Sequence, residues 1–380
     1  MSSDQGMVEI RHRLHREAER SGEEKATARL IIAALTALEP DEIVSELGGH
    51  GVLAVFGGKL EGPSVLLRSD MDALPLPDDD RLPHASIRKG TAHRCGHDGH
   101  MAMMVGLAQS LSEKRPRRGR AILLFQPAEE TGAGARQVLD DPRFAPFVPD
   151  VAIAQHNLPG FELGQVVIRK GVFASASSGL IVTLRGRASH ASEPNEGNSP
   201  LQAAVALAQS LVALSQQATA LHEAAQVTVV GLEVGGPAFG TSPGDGRVMA
   251  TLRAHDAAVM QRISSRAVEL AEGLAAAHGL DGDVSWTDEF PSTVNDSTVA
   301  QVVAKVARTL GHEVVEARHP FPWSEDFGHF TAICPGVLFG LGSGSRQPSL
   351  HAEGYDFPDE LLSPGRDLLL AVVRDYLESA

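Results

Sequence analysis

Three short apolar runs, Ser64–Arg68, Ala121–Phe125 and Val151–Ala154, each end in residues able to do chemistry. The first leads into Ser69-Asp70-Met71-Asp72, the second into Gln126-Pro127-Ala128-Glu129-Glu130, the third into Gln155-His156-Asn157. Runs this short and this apolar read as strands buried on both faces. The segment His100–Ser112 is apolar at helical spacing, and strands alternating with helices predict a largely parallel sheet covered on both sides. Such sheets carry ligands at the carboxyl ends of their strands. Asp72, Glu129, Glu130 and His156 are therefore expected to share one cleft.

Between the first two runs lies Cys95-Gly96-His97-Asp98-Gly99-His100, a thiol, two imidazoles and a carboxylate within six residues. Thiolate and imidazole suit borderline-soft divalent metals. The adjacent Glu129 and Glu130 supply what a hydrolytic metal centre also needs, one carboxylate for metal and one for protons. Cys95 with His97 or His100 could instead be a thiol nucleophile and its base, but members of such a pair usually come from separate segments. A buried cysteine beside a helix-capping Asp98, and a solvated pair of glutamates, are the plainer alternatives. His156 and His351, each taken alone, read as ordinary structural histidines. Gly340–Gly344 lacks the lysine of a phosphate loop and fits no dinucleotide fingerprint.

A chain of 380 residues is too long for one ordinary core. The pattern changes after Val172. Leu180–Arg185 alternates like a strand, Pro200–Leu214 is an Ala/Leu-rich helix, Gln226–Glu233 and Arg247–Arg253 alternate again, and Ala257–His278 is a long amphipathic helix. This β-α-β-β-α order predicts a small sheet with two helices on one face. From Thr293 the earlier pattern returns. The expected organisation is α/β: a discontinuous domain of residues 1–172 and 292–380, interrupted by a ferredoxin-like α+β domain of residues 173–291.

The net charge of −15 argues against nucleic acid or an anionic membrane as partner. No apolar run approaches membrane-spanning length. Two cysteines cannot form a disulfide framework, and Met1–Met7 lacks the pattern of a signal peptide, so a reducing cytoplasm is expected.

The motifs, in order, extend the reading. They are Leu14-His15, Arg68-Ser69-Asp70-Met71-Asp72-Ala73-Leu74-Pro75, His93 to His100, Leu124 to Glu130, and His156-Asn157-Leu158-Pro159-Gly160. Gly186-Arg187-Ala188-Ser189-His190-Ala191, Thr251-Leu252-Arg253, Ser324-Glu325-Asp326-Phe327, Leu350-His351 and Tyr355-Asp356-Phe357 follow. In this order the chain resembles the amidohydrolase branch of the dinuclear metallopeptidase superfamily. That branch contains aminoacylases, hippurate hydrolases and plant auxin–amino acid conjugate hydrolases.

The resemblance implies a zinc-peptidase-type catalytic domain holding two divalent ions per subunit, zinc or manganese. Cys95 would bridge them, with His97, Glu130, His156 and His351 completing the ligand set. Glu129 would be the general base, and Asp72 and His100 would orient ligands. The inserted domain would serve as lid and as homodimer interface, sending His190 into the partner's active site to steady the oxyanion. Arg253 would pair with a substrate carboxylate. The chain departs from the family at Gly240, where an asparagine is usual, and at Asn195, where a histidine is common. The expected activity is hydrolysis of the amide of a small N-acyl amino acid or related conjugate by a metal-activated water. The alternatives are a dipeptidase or carboxypeptidase of the same superfamily, and a non-catalytic metal-binding protein that keeps the fold.

Overall fold

Val65–Leu67, Ala121–Phe125 and Val151–Ala154 are almost fully buried. The computed structural model, which describes residues 3–378, builds one eight-stranded sheet around them. The chain divides into two units, Met1–Phe173 with Thr293–Pro320 and Asp326–Ala380, and Ala174–Ser292 with Phe321–Glu325.

In the first unit, helices Ser3–Arg16 (α1) and Lys25–Thr36 (α2) precede strands Glu42–Leu47 (β1), Gly51–Gly57 (β2) and Leu60–Asp70 (β3). Helix His97–Glu113 (α3) and strands Arg118–Gln126 (β4) and Val151–Pro159 (β5) follow. The sheet order is β1-β2-β4-β3-β5, then Gly336–Gly344, Val166–Ile168 and Val314–Glu316. β4, β3, β5 and Gly336–Gly344 are parallel neighbours. The sheet is mixed at its margins, since β1 and β2 form a hairpin antiparallel to β4, and Val166–Ile168 runs against Gly336–Gly344. Register sets Asp70 opposite Gln126 and Gly340 opposite His156. The turns that carry the reactive residues therefore leave the sheet side by side.

Met7, Leu14, Met104, Leu107, Leu369 and Val372 belong to the same core as the strand residues Leu67 and Phe125. The first two turns of α3, from His97 to Met104, are entirely buried, so its polar residues there must find partners within the protein. Two glycines permit this. Gly96 has φ +95°, and a Cβ there would lie 2.5 Å from Asn157 Oδ1. A Cβ on Gly99 would lie 2.5 Å from the Phe357 ring. At the start of α2, Glu19 Oε2 accepts from the amides of Ala26 (2.7 Å) and Thr27 (2.8 Å). It thereby satisfies helix-end donors that Glu24, the residue just before the helix, leaves open.

The second unit is a four-stranded antiparallel sheet in the order Ala225–Val234, Asp245–Ala254, Ala176–Arg185, Asp281–Phe290. Leu207 and Leu211 of helix Leu201–Ala218 and Ile263 and Ala267 of helix Ala257–Ala277 share its core with Val182, Val248 and Leu252. Counted along the chain, the strands lie 4-1-3-2, a ferredoxin-like arrangement. The fourth strand is absent from the sequence reading. Asp281, Asp283 and Glu289 are exposed along it, and a charged edge strand shows little apolar alternation. Among the described residues, no helix is long and apolar enough to cross a membrane.

Candidate metal centre

Each element ends by presenting donors to one place. α3 opens with His97 just after Cys95, β4 runs on to Glu129 and Glu130, and β5 carries His156. The loop after Gly336–Gly344 brings His351. Cys95 Sγ lies 3.3 Å from His351 Nε2 and 3.6 Å from His156 Nε2. Glu130 reaches His97 Nε2 at 3.8 Å through Oε1 and His351 Nε2 at 3.6 Å through Oε2. Glu129 Oε2 is 3.9 Å from His97 Nε2. Ligand bonds of zinc length put neighbouring donors of one tetrahedral ion about 3.3–3.8 Å apart, so the separations around Cys95 and Glu130 suit a shared cation.

The histidine rings are oriented for that role. His97 Nδ1 donates to the Asp72 carbonyl at 2.9 Å, and His156 Nδ1 to the Asn157 carbonyl at 2.9 Å. Each bond commits Nδ1 and leaves Nε2 aimed into the cluster, where it can take a metal in place of a proton. His97 Nε2 and Glu130 Oε1 are buried without a hydrogen-bond partner. Leaving such groups unmatched costs about 1–3 kcal/mol each, and a cation would satisfy both. The donor set fits a divalent metal.

The electrostatics agree. Burial would lower the His97 ring, but the carboxylates of Asp70, Asp72 and Glu130 outweigh it and carry the ring to about 10. Burial raises Glu130 to about 7 despite the neighbouring His97. Burial, followed by Glu130 and Glu129, holds the Cys95 thiol well above its usual range. An activated nucleophilic thiol needs the opposite shift, which disfavours the thiol-hydrolase alternative. A thiolate here needs a positive ion beside it.

Behind the donors stands a buried polar truss. His100 has both nitrogens engaged, Nδ1 with Asp70 Oδ1 at 2.7 Å and Nε2 with Asn157 Oδ1 at 2.5 Å. Asp70 is held by Arg68 at 2.8 Å, and Arg68 also bonds Gln126 Oε1 (2.8 Å) and Asp326 (2.5 Å). Asp72 Oδ2 accepts from the Glu130 amide at 2.9 Å and from Ser21 at 2.6 Å. A second cluster ties α1 to the start of α3. Arg11 bonds Asp98 (3.1 Å), Asp359 (2.7 Å) and Asp356, and His15 bonds Asp98 (2.9 Å) and Asp78 (3.1 Å).

The sequence motifs include Asp70 and Arg68 without giving either a role, and leave out Arg11. For the first two a signal exists, because residues two apart on a strand face one way, so Arg68 and Asp70 at the end of β3 align. Two non-glycine residues at the cluster have left-handed backbone, Ala128 (φ +51°) and His351 (φ +65°). Each conformation costs about 1–2 kcal/mol, a strain found where surrounding bonds enforce it. Arg94 braces the second, its carbonyl accepting from His351 N at 2.9 Å and its Nη1 donating to Ala352 O at 2.7 Å.

His190 and Arg253 belong to the second unit. His190 is exposed on the short strand Ser189–His190, opposite Thr241, with Nδ1 2.6 Å from Ser192 Oγ. Gly240 lies beside it, its carbonyl accepting from Ala191 N at 3.0 Å. Arg253 Nη1 donates to Pro322 O and Ser324 Oγ, both at 3.0 Å.

The chain is similar to known proteins over most of its length. Residues 66–375 match the model of Peptidase family M20/M25/M40. The chain is similar to an N-acetyl-L-cysteine deacetylase of Bacillus subtilis (strain 168), at 32% identity over 89% of this chain and 80% of that protein. It is similar to the hippurate hydrolase of Campylobacter jejuni at 29% identity, over 97% of this chain and 96% of that one. Among solved structures, a dinuclear metal binding peptidase of the M20 family from Bacillus subtilis aligns with a TM-score of 0.82 and 26% identity, over 100% of this chain and 99% of that chain.

Proposed function

Because the chain belongs to peptidase family M20/M25/M40, we propose that it hydrolyses the amide bond of a small N-acyl amino acid or related conjugate. The observation that carries this reading is the convergence of Cys95, His97 and Glu130 within one ligand sphere, with Glu129 beside them. Relatives named as deacetylases and as hippurate hydrolase support the substrate class.

Two divalent ions, zinc or manganese, would be held by Cys95, His97, Glu130, His156 and His351. When bound, such ions make water acidic and polarise a carbonyl. Glu129, 5% exposed, is the base that takes the water's proton and returns it to the departing amine. Its neighbour Glu130 is occupied with His97 and His351. Asp72 and His100 keep the ligand rings and the Glu130 backbone in place, and Arg253 pairs with a substrate carboxylate.

A homodimer through the second unit completes the reading. Strand Ala225–Val234 is a sheet edge, and Val230 and Leu232 are exposed on it, as are Val205 and Val212 of helix Leu201–Ala218. Open edges with apolar side chains favour pairing with another copy. His190 would then steady the developing oxyanion in the partner subunit. Mixing inactive His190→Ala subunits with inactive Glu129→Gln subunits should restore part of the activity. Mixed dimers that form and stay inactive would remove His190 from that role.

The substrate class is tested on N-acetyl, N-benzoyl and N-indoleacetyl amino acids, with chelator and with added zinc or manganese. Cleavage of at least one member, abolished by chelator and restored by metal, is expected. Inactivity across the panel with two ions bound would reject an N-acyl amino acid as substrate.

A further inference from the structure

The turn that carries both glutamates is gripped from one side by two buried carboxylates. Asp72 Oδ2 accepts from Glu130 N at 2.9 Å. Two residues earlier, Glu24 Oε1 accepts from Ala128 N at 2.8 Å, and the same oxygen accepts from Gly22 N at 2.9 Å. Alternate amides of one turn are thus held by carboxylates from distant parts of the chain. Ala128 is also the residue with left-handed backbone, and the bond to Glu24 holds it there. On its other side the Ala128 carbonyl accepts from Gly134 N at 3.1 Å and Thr131 Oγ1 at 3.3 Å.

Glu24 has no exposure, and its second oxygen, Oε2, is buried without a hydrogen-bond partner. A carboxylate is a costly way to fill a core, and the α2 amides do not need it, because Glu19 caps them. We infer that Glu24 is a positioning residue for the reaction, fixing the Ala128 turn so that Glu129 faces substrate while Glu130 faces metal. The inference rests on the roles given above to Glu129 and Glu130. Burial, and after it the Asp72 carboxylate, push Glu24 up to about 7, so near neutrality it is in part the neutral acid that glutamine mimics.

The test compares Glu24→Gln, Glu24→Asp and Glu24→Ala in the metal-loaded enzyme, with Glu129→Gln alongside. Glutamine keeps an acceptor at the same reach, whereas aspartate keeps the charge but withdraws it by one methylene. Glu24→Gln should stay within about threefold of the parent kcat. Glu24→Asp and Glu24→Ala should lose about 10- to 100-fold in kcat with KM little changed, the scale expected of a misplaced catalytic group. Hydrogen exchange of the peptide spanning residues 126–132 supplies a readout independent of activity. It should rise about tenfold in Glu24→Asp and Glu24→Ala and stay near the parent in Glu24→Gln.

The reverse ranking, with aspartate retaining activity and glutamine losing it, would mean that charge rather than placement matters and would overturn the inference. So would unchanged kcat and unchanged exchange in Glu24→Asp, which also serves if Glu24→Ala does not fold. An active Glu129→Gln variant would instead unseat the assignment of the base. The exchange pattern would then decide alone whether Glu24 sets the turn.

Discussion

Glu129→Gln is expected to lower kcat by about 10²- to 10⁴-fold, the usual contribution of a positioned general base. The substitution keeps the size and shape of the side chain and removes its ability to take a proton. In the proposed ligand set the metal-binding glutamate is Glu130, which reaches both His97 and His351, and Glu129 is left to the proton. The variant should therefore bind two ions per chain like the parent, and KM should move little. Steady-state kinetics and metal analysis on the same sample check this. Activity within tenfold of the parent would assign the base elsewhere, and lost metal would make Glu129 a ligand.

Cys95→Ala should be as severe by a different route. Cys95 Sγ is the atom that approaches His156 and His351 and clusters with His97 and Glu130, residues that could hold a metal together. Its removal should cost at least one of the two ions and reduce activity to background. The pH dependence of metal affinity follows from the same residue. Burial, Glu130 and Glu129 raise the thiol, so protons compete for the sulfur that metal binding must strip. Apparent affinity in the parent should fall as pH drops and rise as pH increases through neutrality. Competition with a chromophoric chelator measures it. Affinity that does not change with pH would mean that Cys95 is not a thiolate ligand.

The parts of this molecule that could be read from sequence share one property: their side chains have a single environment. Val65–Leu67, Ala121–Phe125 and Val151–Ala154 are buried on both faces, and their apolar runs stand out. Strand Asp281–Phe290 lies at a sheet edge with exposed acids, so its alternation is masked. Of the β1–β2 hairpin, the apolar run Gly51–Phe56 reads as a strand, but apolar content alone states neither its antiparallel direction nor its partner Glu42–Leu47. At the site, Cys95, His97, Glu129 and Glu130 announce themselves by proximity in the chain. His351 does not, because its relation to Cys95 exists only after the loop beyond Gly344 folds back. Arg11 and Glu24 sit in the charge-rich stretch from Arg11 to Lys25, where no pattern in the sequence marks one charge as buried. Their burial comes from partners far along the chain, Asp98 and Asp359 for the first and Ala128 for the second.

The most direct test of the account is titration of zinc or manganese into chelator-stripped protein while hydrolysis of its best N-acyl amino acid is followed. The dinuclear reading predicts no turnover at the start and a rise that saturates near two ions per chain. Full activity in the stripped protein, or activity indifferent to added metal, would contradict it.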